Sequence, residues 1–203
     1  MNLSFFKTIS CAVLLTVCVL RGTEPAVTAP VMLRTAIDEV LAIAYDEKAV
    51  TIPLAQRVRP TLEKYFSFDS ITRRAIGPGW RQFTPEQQAR TTVLFSNLVI
   101  RTYADRFEIG DRPGITYADA ITPDPKRPNL RELPTTIDYA GKKYSVVYRV
   151  EQLGESWRVY DVIIEGVSMI ANWRSQLDPI YQRGGAAAVI QSLEQNLSNQ
   201  PAK

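Results

Sequence analysis

Apolar side chains recur at helical spacing through the first half of the chain. A short helix is predicted over residues 69–76 and ends at the turn 77–79, where glycine and proline interrupt the hydrogen-bond ladder. A longer helix is predicted to begin at Thr84, which forms a capping box with Gln87, and to run to about Phe107. Two earlier helices are indicated by single apolar stripes, formed by Leu33, Ile37, Val40, Leu41 and Ala44 and by Leu54, Val58, Leu62 and Phe66.

The period of the apolar positions changes to two after Gly110. Short turns separate the alternating segments, which implies an antiparallel meander. Helices before and after such a sheet place the chain in the α+β class. The pattern predicts four strands, at residues 115–121, 130–139, 143–153 and 157–164.

The last of these strands leads directly into a predicted helix after Gly166. This helix covers residues 167–182, a break follows at residues 184–185, and a final helix covers 186–197. Both faces of the last strand are apolar, so both are expected to be buried. Simple alternation places Tyr160, Val162 and Ile164 on one face and Trp157, Val159 and Ile163 on the other.

The N-terminal segment has the layout of a secretory signal. Lys7 precedes an apolar stretch at residues 8–20, which is shorter than the roughly 20 residues that span a membrane. We therefore expect residues 1–29 to be a removable signal peptide, 30–197 to form one domain and 198–203 to be a frayed tail. Cys11 and Cys18 both lie in the predicted signal, so the expected mature domain has no thiol.

The composition excludes several classes of site. The sequence contains no histidine, which removes Ser-His-Asp and Cys-His catalysis and the His-based zinc sites. Asp161 and Glu165 would lie about 13 Å apart along a strand, too far for a glycosidase pair. We expect Asp161 to pair with a backbone group or an arginine, and Glu165 to help cap the helix after Gly166. Ser168 has no imidazole to activate it and is expected to start a helix. A net charge of +3 does not favour nucleic acid. We expect no enzyme activity, no metal and no cofactor.

Four segments, in order and spacing, resemble the MlaC, or toluene-tolerance, family. They are residues 77–81 (GPGWR), 84–88 (TPEQQ), 101–104 (RTYA) and 160–169 (YDVIIEGVSM), and the resemblance extends over residues 33–195. It implies a twisted four-stranded antiparallel sheet of NTF2-like type, packed with N-terminal and C-terminal helices around an apolar pocket. It also implies a monomeric periplasmic protein that carries phospholipid between the outer and inner membranes and maintains outer-membrane lipid asymmetry. The implied partners are an inner-membrane ABC transporter with MCE domains and an outer-membrane lipoprotein complex.

The candidate pocket residues are apolar or aromatic, and for each of them a place in the core is as open as a place in the pocket. Changing Ile164 or Val167 to glutamate is expected to abolish lipid carriage in a folded protein. Arg73, Arg74, Arg81 and Arg101 are available to a phosphate or to an acidic partner. The predicted lipid-binding residues are Leu98, Tyr103, Val146, Tyr148, Val150, Val162, Ile164, Val167, Met169 and Trp173.

Three alternatives stay open at the level of sequence. The cargo could be a hopanoid or another lipid instead of a phospholipid, because members that carry hopanoids share the same segments. An NTF2-like interaction module with a filled core is a second reading, in which no lipid binds. An enzyme that uses the same cavity is the third and weakest, because no nucleophile and base are paired in the sequence.

Overall fold

The computed structural model describes residues 27–46, 51–104 and 111–199. Most of the predicted signal, including both cysteines, lies outside these residues. No helix among them is both long and apolar enough to cross a bilayer. The elements in chain order are α1 Ala29–Ala44, α2 Leu54–Tyr65, α3 Phe68–Ile76, a 3-10 helix Gly77–Gln82, α4 Pro85–Ala104, β1 Gly114–Tyr117, β2 Leu130–Tyr139, β3 Lys142–Leu153, β4 Ser156–Ile164, β5 Val167–Ser168 and α5 Met169–Asn199.

Three helix boundaries follow the predicted local chemistry, whereas α5 begins at Met169 and not at residue 167, and the predicted end of the long helix near Phe107 lies outside the described residues. The capping box of α4 is formed: the amide of Gln87 donates to Thr84 Oγ1 at 3.3 Å, and the amide of Thr84 donates to Gln87 Oε1 at 2.9 Å. Helix α3 ends at Gly77, whose φ of +77° suits glycine. Helix α5 is interrupted at Gly184 and Gly185, which confirms the predicted break.

The strands form one antiparallel sheet in the order β1-β2-β3-β4-β5. The expectation of four strands is therefore wrong, and the NTF2-like description stays a prediction. After β4 the chain reverses at Glu165 and Gly166, with φ of +49° and +79°, so that Ile164 pairs with Val167. The fifth strand has only two residues, too few to show an alternating pattern in the sequence, and the helix begins directly after it.

A β-bulge in β4 changes which side chains share a face. Arg149 of β3 pairs with Asp161 and the next residue, Val150, pairs with Val159, which leaves Tyr160 as the extra residue. Val159 therefore lies on the same face as Val162, and Tyr160 lies on the opposite face. The prediction from simple alternation placed Trp157, Val159 and Tyr160 on the wrong faces relative to Val162, because a bulge shifts the period by one residue.

Three groups of buried side chains hold the layers together. One lies between α3, α4 and α5 and includes Phe95 and Leu177. The second joins α1 to the sheet through Leu33 and Val150, and the third joins α2 to α4 through Val58. These groups surround the space described next.

Candidate functional site

An apolar cavity of about 210 Å³ lies between α1, α2, α4 and one face of the sheet. Close-packed interiors contain few voids larger than a water molecule, and an engineered apolar cavity of about 150 Å³ stays dry and binds benzene. A void of this size is therefore a candidate site for an apolar ligand. Its lining is Leu33, Ala36, Ile37, Val40, Ala44, Leu54, Val58, Thr61, Leu62, Tyr65, Phe66, Phe68, Val99, Ile100, Tyr103, Ala104, Tyr148, Val162, Ile164 and Met169.

Helices α1 and α2 supply half of this lining from single helical stripes. Their side chains recur every three or four residues, the spacing that places them on one face. Arg57 of α2 fixes the pair, because its guanidinium donates to the carbonyl oxygens of Ile43 and Ala44 at the end of α1. An arginine bonded to the last carbonyls of a helix is a favourable C-terminal cap. The stripes are therefore held facing the sheet.

The polar groups on the cavity wall are hydroxyls. Among the described residues that line the cavity none is charged. Burial raises the pKa of Tyr148 to about 12, so its hydroxyl stays neutral at physiological pH. The hydroxyl of Tyr65 donates to Glu39 at 2.8 Å, and Lys64 donates to the same carboxylate at 3.0 Å. The hydroxyl of Tyr65 therefore has its hydrogen-bond partner outside the cavity, while its ring belongs to the apolar wall.

The cavity lining is exposed to solvent at Ile164, the last residue of β4. The side chain of Ile164 lines the cavity and yet is 39% exposed. Its cross-strand neighbour Val167 is 62% exposed and does not line the cavity. A ligand enclosed among the helices could thus keep a polar end in water near Ile164.

The structure brings five of the ten predicted residues into the cavity wall: Tyr103, Tyr148, Val162, Ile164 and Met169. The other five lie elsewhere. Leu98 and Trp173 belong to the region between α4 and α5, where the Trp173 ring meets Phe95 edge to face at 5.3 Å. Val146 and Val150 are buried in the sheet outside the lining, and Val167 lies on the surface.

Sequence reasoning missed the contribution of α1 and α2. The sequence predicts their apolar stripes, but none of the predicted lipid-binding residues belongs to either helix. A stripe that lines a cavity has the same spacing as one that fills a core, so the sequence carries no signal that separates the two. The lining of a cavity follows only from the distance between the layers.

Asp161 has a structural role, and the expectation that it meets an arginine and backbone groups is confirmed. It is 2% exposed, lies 3.4 Å from Arg149, and accepts the amide of Ile170 at 3.0 Å and the hydroxyl of Ser168 at 2.7 Å. Ser168 in turn accepts the amide of Ala171 at 3.1 Å, as a serine at the start of a helix does. Asp161 thus anchors the start of α5.

Glu165 does not cap α5, and that expectation is wrong. Its carboxylate accepts the amide of Ser145, and its own amide donates to the carbonyl of Ser145 at 2.9 Å. Because β5 reverses the chain, Glu165 lies at the hairpin turn and not at the helix start. Within the described ranges no group of three or more acidic, His or Cys side chains could hold a metal ion.

The predicted arginines lie outside the cavity wall. Arg101 donates to the carbonyl of Leu197 at 3.1 Å, and Arg73 and Arg81 are exposed. Arg74 pairs with Glu151 at 2.6 Å and lines a separate cleft. None of the four is placed to meet a charge inside the cavity.

Comparison with known proteins agrees with this arrangement. A phospholipid-binding protein from Ralstonia solanacearum, solved in complex with a phospholipid, superposes with a TM-score of 0.73 at 26% identity, over 82% of this chain and 95% of that one. Toluene tolerance protein ttg2D of Pseudomonas putida is 30% identical over 105 residues, which is 52% of this chain and 48% of that protein. The match thus spans about half of that relative. The profile of the MlaC protein family matches residues 34–195, so the chain belongs to the MlaC family.

Proposed function

We propose that this protein is a non-enzymatic phospholipid carrier of the periplasm. It encloses acyl chains in the cavity between α1, α2, α4 and the sheet. The observation that carries the proposal is that cavity, whose wall is apolar and whose described lining has no charge. The fold shared with a protein solved with bound phospholipid supports it.

The physical basis of carriage is burial of the chains. Each methylene moved from water into an apolar site contributes about 0.8 kcal/mol. An uncharged wall binds the chains without selecting a headgroup, and the headgroup stays in water near Ile164. No cofactor takes part, and the bound phospholipid is cargo.

Binding of a complete phospholipid requires the cavity to open. Ligand pockets commonly measure about 300–1,000 Å³, and this cavity measures about 210 Å³. The α1–α2 pair covers it and contacts its surroundings through apolar side chains and a cation–π contact of 3.9 Å between Arg34 and Tyr117. Two hydrogen bonds also hold it: Arg158 donates to the carbonyl of Glu63 at 3.1 Å, and Tyr45 donates to the carbonyl of Asp111 at 3.3 Å. We propose that this pair moves outward from the sheet and α4 as the chains enter.

Membership of the MlaC family supports a place in a transport system. We propose that the protein acts as a monomeric shuttle between an outer-membrane lipoprotein complex and an inner-membrane ABC transporter with MCE domains. Its task would be to maintain the lipid asymmetry of the outer membrane. Nucleic acid has no part in this proposal.

The uncharged lining of the cavity is equally suited to a second cargo, a hopanoid or another largely apolar lipid. Because no described charged residue lines the cavity, nothing in the wall selects a phosphate. A hopanoid or another largely apolar lipid would satisfy the same wall. The filled-core interaction module is disfavoured, since a core of that type has no reason to keep a void of this size.

Native mass spectrometry of the protein purified from the periplasm, with identification of the released lipid, tests the proposal. We expect a stoichiometric adduct with the mass of a diacyl phospholipid. A hopanoid adduct would keep the carrier and change the cargo. A bare mass, under conditions in which a known carrier retains its lipid, would contradict the proposal.

A matched pair of variants locates the cargo. Ile164→Glu places a carboxylate on the cavity wall, and we expect lipid occupancy to fall about tenfold, which corresponds to about 1.4 kcal/mol. For Val167 the structure replaces the expectation from the sequence: Val167 is exposed and lies outside the cavity wall, so Val167→Glu places the same charge on the surface and is expected to leave occupancy unchanged. Equal occupancy in both variants would show that the chains do not pass Ile164.

A further inference from the structure

Two hydroxyl groups on the wall of the apolar cavity have no hydrogen-bond partner in the described part of the chain. Tyr148 lies on β3 and Thr61 lies on α2, so the two groups belong to different walls of the cavity. Neither side chain forms a hydrogen bond with any described residue. Because an unpaired buried hydroxyl is destabilising, both groups are candidates for contact with a ligand.

Both hydroxyl oxygens border open space. Protein atoms completely cover several other unpaired oxygens, such as that of Thr72, but not these two, although Thr61 is only 8% exposed. Burial raises the pKa of Tyr148 to about 12, so the space beside its hydroxyl is shielded from bulk water. That space is the cavity, which both side chains line.

Tyr65 provides an internal comparison for Tyr148. The rings of both tyrosines line the cavity. The hydroxyl of Tyr65 donates to Glu39 at 2.8 Å, outside the cavity, whereas no described residue accepts the proton of Tyr148. The two side chains therefore have the same chemistry and differ in whether their donor is already used.

Tyr148 lies further from solvent than the exposed residue of the lining. Tyr148 pairs with Val162, and Val146, two residues earlier in β3, pairs with Ile164. Two residues of a strand span about 7 Å, so the backbone of Tyr148 lies about that far from the level of Ile164. In a diacyl lipid the ester carbonyls join the headgroup region to the acyl chains. With the headgroup in water near Ile164, these carbonyls come within reach of the Tyr148 side chain.

The unpaired hydroxyls suit a neutral acceptor better than a charged one. An ionised carboxylate in an apolar site needs a cation beside it, and no described charged residue lines this cavity. A hydrocarbon offers no acceptor and leaves both hydroxyls unpaired. A carbonyl oxygen accepts a hydrogen bond without bringing charge into the cavity, so an ester meets both conditions.

We propose that Tyr148 donates a hydrogen bond to an ester carbonyl of the bound lipid, with Thr61 as a second donor, and that the cavity thereby selects ester-linked acyl lipids. This inference rests on the proposed carrier function and makes Tyr148 a specificity-determining residue of that function. The absence of charge from the described lining suits a diacyl lipid and a hopanoid equally, whereas the two hydroxyls favour the lipid with esters.

Displacement of a fluorescent phospholipid from the delipidated protein tests the proposal. The competitors are dimyristoyl phosphatidylglycerol and its di-O-tetradecyl ether analogue, which differ in the ester carbonyls. We expect the unmodified protein to prefer the ester about fivefold. Tyr148→Phe keeps the ring and is expected to abolish most of this preference, and Thr61→Val a smaller part of it. The matched control is Tyr65→Phe, which removes a hydroxyl bonded outside the cavity and should leave the preference unchanged.

The preference is a ratio of two affinities measured in one protein, so a change in the stability of a variant does not produce it. Infrared spectra of the bound ester lipid give a second readout, and we expect the carbonyl band at lower frequency in the unmodified protein than in Tyr148→Phe.

The outcomes separate this proposal from the carrier function. Binding of neither lipid would contradict the carrier function itself. Equal affinity for the two lipids in the unmodified protein would keep the carrier and overturn the selection of esters. An equal loss of preference in Tyr65→Phe and Tyr148→Phe would also overturn it. Tyr148-dependent binding of myristate that is tighter than binding of the ester lipid would overturn it in favour of a carboxylate ligand.

Discussion

Filling the apolar cavity with a side chain should stabilise the lipid-free protein and weaken lipid binding at the same time. Ala36 of α1 lines the cavity and is 4% exposed, so leucine at this position would extend into the void. Ala75 of α3 is 0% exposed and lies in a packed core away from the cavity. The two alanines differ in what lies beyond their methyl groups.

The magnitude follows from the size of the void. At about 24 cal/mol per Å³, a cavity of about 210 Å³ corresponds to about 5 kcal/mol of lost packing. Leucine adds three carbons, which contribute about 2.4 kcal/mol when buried and lose about 0.5–1 kcal/mol of rotamer entropy. We therefore expect Ala36→Leu to raise the stability of the lipid-free protein by about 1–2 kcal/mol. For a chain of this size, that raises Tm by about 2–8 °C.

The same three carbons occupy space that acyl methylenes would fill. Loss of about three buried methylenes weakens lipid binding by up to about 50-fold. Ala75→Leu overpacks a filled core instead, and is expected to cost about 1–3 kcal/mol of stability without changing lipid affinity at temperatures where the variant is folded. Denaturant unfolding of the delipidated proteins and titration with a fluorescent phospholipid measure both effects.

Ala36→Leu is expected to raise the stability of the lipid-free protein and Ala75→Leu to lower it, so the two variants test the prediction directly. If Ala36→Leu destabilises the lipid-free protein as much as Ala75→Leu does, there is no usable void beside Ala36. If Ala36→Leu is stabilised but binds lipid normally, the chains lie elsewhere. Either result would show that this cavity is not the lipid-binding site.

Three further predictions concern parts of the fold that position the cavity. A Cβ at Gly79 would lie 2.4 Å from the Tyr181 ring, so Gly79→Ala should lower stability by about 1–3 kcal/mol in denaturant unfolding; an unchanged midpoint would show that the ring moves freely. Asp161→Ala removes the acceptor of the Ile170 amide and of the Ser168 hydroxyl, while Arg149 keeps Glu132; we expect a loss of about 1–3 kcal/mol, with rapid hydrogen exchange at the start of α5, and retained protection there would refute the anchoring role. Burial raises the pKa of Tyr148 from 10.0 to about 12. The unfolded chain therefore loses the phenol proton at lower pH than the folded protein, so the free energy of unfolding is unaffected below pH 10 and falls by about 2–3 kcal/mol as the pH rises to 12. Tyr148→Phe should lose less stability over that interval, and equal losses in the two proteins would contradict the assignment.

Local chemistry made much of the fold predictable. The capping box at Thr84 and the glycine break at Gly184 depend on residues close in sequence, and both are found as expected. The hairpins depend on short turns and were predicted for the same reason. The turn at Glu165 and Gly166 has positive φ values similar to those of the predicted turn at Ala140 and Gly141, and it was missed because only two strand residues follow it before the helix.

The candidate site was harder to predict because it depends on register and on the spacing of layers. The bulge at Tyr160 moves Val159 to the cavity face of the sheet and Tyr160 to the cleft. No feature of the sequence marks that extra residue. The stripes of α1 and α2 were visible, but a side chain that faces a void is spaced like one that faces a core.

The central claim is that the protein carries a lipid in the cavity between α1, α2, α4 and the sheet. A structure of the protein as purified from cells, with its bound lipid, tests this most directly. We expect acyl chains against Tyr148, Val162 and Val58, a polar headgroup in water near Ile164, and α1–α2 displaced outward to make room. Acyl chains bound at any other place, or a closed empty cavity in a protein that carries lipid, would contradict it.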